Sequence, residues 1–141
     1  MRVDLRGLLR DGSNPGPGVD QNSAQTVAMP YGGTLVVVVT VVRQDGSAPD
    51  LAGYIATLAV KAVSNQWDRW PGFRKTVTLP SVGVAANVAV LPTIVPADTK
   101  FLQPGRYVYD VWLQSPSGEQ NSVVDLSAFV LSPAAVPPPY F

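Results

Sequence analysis

Apolar and polar side chains alternate with a period of two through much of this chain, and no segment shows the pattern of an amphipathic helix. In residues 106–114, Tyr107, Tyr109, Val111 and Leu113 fall on one face. Arg106, Val108, Asp110, Trp112 and Gln114 fall on the other, because successive side chains of a strand point to opposite sides. Ser115, Pro116, Ser117 and Gly118 supply a turn, proline fixing φ and glycine admitting positive φ. A second alternating run, Val124, Leu126, Ala128 and Val130, returns along the first and completes a β-hairpin.

Upstream, residues 34–44 read TLVVVVTVVRQ, a β-branched density that predicts a strand. Both its faces are apolar, so it is covered on both sides. A core covers one; the N-terminal segment or a neighbouring subunit covers the other. Tyr54, Ala56, Leu58 and Val60 alternate with Ile55, Thr57, Ala59 and Lys61. Further strands are predicted at 26–30, 74–79 and 82–91, and Pro96 to Thr99 suits one helical turn. Residues 1–10 alternate as a short edge strand does, or form an arm that orders on a partner. The Gly, Pro, Asn and Ser of residues 11–25 bury too little apolar surface to offset ordering. Residues 132–141, SPAAVPPPYF, favour an extended polyproline II tail ending in Tyr140 and Phe141, either free or docked by its aromatic tip. The expected division is an N-terminal arm and linker at 1–25, a β-sandwich at 26–131 and a Pro-rich tail at 132–141.

Pro104-Gly105-x-Tyr107-x-Tyr109 resembles the tyrosine corner of immunoglobulin-like sandwiches. Tyr109 stands where antibody domains carry cysteine, so their disulfide is absent. The hairpin wording L.PG.Y.YDV.L, then a Ser/Gly turn, then L.AFVL, is similar to the end of the N-terminal domain of phage baseplate upper proteins. The resemblance extends to residues 34–62, with turns at Asp45-Gly46 and at Asp50-Leu51-Ala52-Gly53. It implies an all-β, immunoglobulin-like two-sheet sandwich of about seven or eight strands. It also implies a non-enzymatic phage virion protein, in a tail or baseplate, that assembles with itself and with other virion proteins. Longer members of that family carry a receptor-facing remainder that this sequence lacks, so a capsid-surface decoration or spike protein is the parallel expectation.

Composition narrows the chemistry. Charged residues make up 14 % of the 141, ten basic against ten acidic, which leaves no electrostatic footprint for nucleic acid or an acidic membrane. Histidine and cysteine are both absent, removing the commonest general base, metal ligand and thiol nucleophile. No cofactor or metal site is expected. The longest apolar run, residues 35–42, is far short of the roughly 20 residues that span a bilayer as a helix. No signal peptide is visible either, so the expected location is a virion assembled in the host cytoplasm. The aromatic loop WDRWPGF, with Trp67, Arg69, Trp70, Phe73 and the following Arg74, is the leading candidate for a contact surface. It either folds its aromatics over one end of the sandwich, meets another protein, or stacks on a host-surface glycan as a carbohydrate-binding or adhesion module would. Trp112 raises the same question for the outer sheet surface, where the N-terminal arm is one expected cover.

Overall fold

The computed structural model describes residues 1–10, 24–63 and 72–133. The alternating segments become eight strands: β1 (Arg2–Leu9), β2 (Val27–Pro30), β3 (Val36–Arg43), β4 (Ile55–Ala62), β5 (Phe73–Thr78), β6 (Val88–Val90), β7 (Gly105–Gln114) and β8 (Gln120–Ser132). A single helical turn, α1 (Pro96–Thr99), precedes β7. The strands form two sheets, β1-β3-β6 and β2-β8-β7-β4-β5, packed as an immunoglobulin-like all-β sandwich. Between them Leu5, Leu9, Val37, Val39 and Val41 of the smaller sheet meet Leu58, Val60, Tyr109, Val111, Leu113 and Phe129 of the larger. Each such side chain contributes about 1.5–3 kcal/mol of burial free energy before the entropy of ordering is counted. Phe129 sits edge-on to both Phe73 and Tyr109, with ring centroids 6.0 and 6.4 Å apart.

β1 belongs to the sandwich. It pairs with β3 in parallel, Arg2 beside Val36 through Leu9 beside Arg43, and sends Leu5 and Leu9 into the core. A boundary at residue 26 therefore cuts off a strand that the core contains, because Leu5, Gly7 and Leu9 lie on one face of that strand. β1 lies beside β3 and extends its sheet; Val38, on the other face of β3, is nevertheless only 4 % exposed. Gly7 allows the close approach of β1. A Cβ there would lie 3.0 Å from Val39 Cγ1, 3.1 Å from Val41 Cγ2 and 3.3 Å from Val123 Cβ.

The hairpin forms, but its return strand departs from simple alternation. Tyr109 opposes Ser127, while Val111 opposes Val124 and Trp112 opposes Ser122. Three steps along β7 thus correspond to five along β8, two successive register shifts at which Val123 and Val124 are both buried. Ser127, Phe129 and Leu131 face the core, whereas Leu126 is 42 % exposed. The run Val124, Leu126, Ala128 and Val130 does not share one face. The Arg10 guanidinium holds the bulge, its Nη2 2.8 Å from Asp125 Oδ2 and its Nη1 3.2 Å from Asp125 Oδ1. The strand expected over 82–91 shrinks to β6, since Gly83 turns the chain at φ +79° and Val82 projects into solvent. α1 appears where expected. Asp98 accepts from the Val95 N–H at 2.8 Å and pairs with Lys75 at 2.7 Å, tying this connection to β5.

Gln25 joins the sheets. Its backbone carbonyl accepts a hydrogen bond from the buried Tyr109 hydroxyl, and its N–H donates to Ser127 Oγ at 3.2 Å. Its side-chain amide accepts from the Arg6 N–H and donates to the Arg6 carbonyl, both at 2.7 Å. Burial pushes the Tyr109 phenol up to about 12, partly opposed by Ser127.

Two outcomes follow from this packing. Gly7→Ala is expected to destabilise the fold by about 1–3 kcal/mol, the usual range for overpacking, read as a lowered denaturant midpoint. The Tyr109 pKa lies above its ordinary 10.0 when folded, so its contribution is complete below that value and is lost as pH rises toward the folded one. Between about pH 8 and about pH 11, wild type is expected to lose roughly 1–1.5 kcal/mol more stability than Tyr109→Phe. Equal losses in chemical denaturation would show that the phenol ionises alike in both states.

Candidate functional site

The outward residues of the larger sheet form an open groove of about 350 Å³. Its floor is set by β4, whose register places Thr57 between Thr76 of β5 and Trp112 of β7, and Ala59 between Arg74 and Asp110. Small side chains in the middle strand leave a trough; Trp112 and Asp110 rise on one side, Arg74 on the other, and Lys61, Gln114 and Gln120 also line it. Trp112 is 41 % exposed. Its indole N–H donates to Asp110 Oδ2 at 3.0 Å, so the ring is fixed in rotation by a residue two positions away on the same face. Thr57 and Thr76 hydroxyls lie 3.4 Å apart across β4 and β5.

Of the residues singled out in the sequence, the structure brings Arg74 and Trp112 together on this groove. Phe73 goes the other way. Its position in β5 shares the inward parity of Lys75 and Val77, and its half-buried ring packs against Phe129 at the rim of the core. Trp67, Arg69, Trp70, Tyr140 and Phe141 lie outside the described residues. β1, placed in the other sheet, does not cover Trp112. Tyr107 is half-buried, and its hydroxyl donates to the Gln103 carbonyl four residues upstream at 2.7 Å. Lys61, Gln114 and Gln120 escaped sequence reasoning as groove residues. The signal was the outward set Ile55, Thr57, Ala59 and Lys61, whose small members matter only once β5 and β7 flank them.

Asp45, Asp50 and Asp125 are committed to local structure. Asp45 accepts from the Ser47 N–H and hydroxyl at 2.9 and 2.6 Å, and those bonds lower its pKa below the ordinary 3.8. Asp50 accepts from the Ala52 N–H, and Asp125 is paired with Arg10. Among the described residues no cluster of three or more His, Cys, Asp or Glu could hold a metal ion. The arrangement is an open groove with an aromatic plate, donors of both charged and neutral kinds, and one carboxylate.

No protein-family model and no curated protein matches the sequence. Among solved structures, the fold is similar to the N-terminal domain of phage TP901-1 ORF48, with a TM-score of 0.50 and 9 % identity over 94 % of this chain and 99 % of that one. A second similar chain, the cysteine protease inhibitor EhICP2 from Entamoeba histolytica, has a TM-score of 0.36 and 4 % identity over 93 % of this chain and 97 % of that one. The first likeness shows that a domain of a phage protein shares this fold.

Removing the Tyr107 hydroxyl leaves the Gln103 carbonyl without its partner on a half-exposed surface. Tyr107→Phe is expected to cost about 0.5–1 kcal/mol, measured by urea denaturation. No change would mean that water replaces the bond at no cost.

Proposed function

We propose that this protein is a non-enzymatic structural component of a bacteriophage virion, in the tail or baseplate or on the capsid surface, which assembles with itself and with other virion proteins. The observation that carries the reading is the fold likeness to the N-terminal domain of phage TP901-1 ORF48, which spans nearly the whole of both chains. The physical character of the chain supports it. Formal net charge is zero and charged residues are sparse, a surface that associates readily because little self-repulsion opposes contact. The carboxylates described above serve turns and ion pairs, and histidine and cysteine are absent from the sequence, so the common acid, base and nucleophile pairings have few candidates. Among the described residues no helix is long and apolar enough to cross a membrane.

In this reading the sandwich is a rigid unit and the Pro-rich end adds contact area. Partners would be other copies of the chain and neighbouring virion proteins, with the virion as location.

Light scattering over a concentration series is expected to give a defined closed oligomer. A strict monomer throughout would count against self-assembly. Deleting residues 134–141 is expected to leave the melting transition in place while weakening the oligomer and its incorporation into particles. Unchanged assembly after that deletion would remove the tail, including Tyr140 and Phe141, from the contact.

A further inference from the structure

We propose that the groove on the outer face of the larger sheet binds a neutral sugar unit of a polysaccharide, stacked on Trp112 and hydrogen-bonded by the polar side chains around it. The site is on strands of the sandwich, formed by residues of β4, β5, β7 and β8.

The argument rests on which polar atoms are occupied. Trp112 is held by one oxygen of Asp110, and the other, Oδ1, has no hydrogen-bond partner among the described residues. The side chains of Arg74, Lys61, Gln114 and Gln120 line the same groove, and none of them makes a hydrogen bond or ion pair with another described residue. One fixed aromatic face is therefore surrounded by an open acceptor, two cationic donors and two amides that both donate and accept. A pyranose matches this set. Its C–H face is apolar and electropositive at the hydrogens, suited to the negative face of an indole, while each hydroxyl both donates and accepts.

Other occupants fit less well. An apolar peptide or a second copy's hydrophobic face would bury Asp110, Arg74 and Lys61 without partners, which is costly, and the centres of protein interfaces are depleted in charged residues. A polyanion would meet the Asp110 carboxylate directly beside the stacking ring. The volume of about 350 Å³ lies toward the small end of ligand sites. It suits one or two sugar rings, and the open form lets a longer chain pass through. Because the ring is fixed by Asp110 in advance, little ordering is required on binding.

The test is titration of the isotope-labelled protein with glucose, galactose, rhamnose, N-acetylglucosamine and their disaccharides, followed by NMR. At least one sugar is expected to shift the Trp112 indole N–H and the Ala59 and Asp110 amides saturably, with a Kd of about 1 mM. Trp112→Ala is expected to weaken it by about tenfold or more, and Arg74→Ala by about threefold, whereas Trp70→Ala leaves it unchanged. Trp112 is surface-exposed, so the variant is expected to retain the wild-type amide spectrum elsewhere. No saturable shift with any sugar would overturn the proposal. So would shifts that survive Trp112→Ala, or that follow Trp67 and Trp70 instead. Oligomeric mass is measured separately, so failure here leaves the virion reading standing on its own test.

Discussion

A tyrosine hydroxyl cannot be buried in a hydrocarbon core without an acceptor, and the way Tyr109 obtains one fixes the architecture around it. The carbonyl of Gln25 is that acceptor. Holding it there places the Gln25 N–H on Ser127 and its side-chain amide on Arg6, so one residue connects β7, β8 and β1 across both sheets. An unpaired hydroxyl in this setting would cost about 1–3 kcal/mol. Ser127 stands inward opposite Tyr109, and the irregularity of β8 begins just beyond it, where Arg10 holds Asp125 on the outside.

Much of the architecture is legible in periodicity. The hairpin of β7 and β8, the valine-rich β3, the alternation of β4 and the single helical turn all follow from local pattern and turn chemistry, and a two-sheet sandwich is the way such strands bury their inner faces. What local pattern cannot carry is register. The apolar alternation of Val124, Leu126, Ala128 and Val130 is real in the sequence, yet two register shifts in β8 bury Val124 beside Val123 and leave Leu126 outside, while Phe129 and Leu131 take the core. Gln25 reads as the end of a polar linker because its importance comes from partners on β1, β7 and β8. Gly7 likewise looks like an interruption until β3 approaches it.

The binding surface was half legible for a related reason. Trp112 and Arg74 stand out by residue type, but they are far apart in sequence and become neighbours only through β4. Phe73 shows the converse. Its place in an aromatic cluster suggests display, whereas strand parity sends its ring to Phe129. A groove on a flat sheet depends on small side chains in its middle strand, and Thr57 and Ala59 carry no mark of that role by themselves.

The bond from Tyr109 to Gln25 links residues 84 apart in sequence, and that from Gln25 to Ser127 links residues 102 apart. During synthesis the ribosome releases β1 and β2 well before β8. β1 can pair with β3 early, but β2 lacks its sheet partner until β8 has been made, and long-range pairing of this kind slows folding. β2 and β8 complete the larger sheet together, so a chain truncated before β8 would leave β2 without its sheet partner and one edge of β7 unpaired.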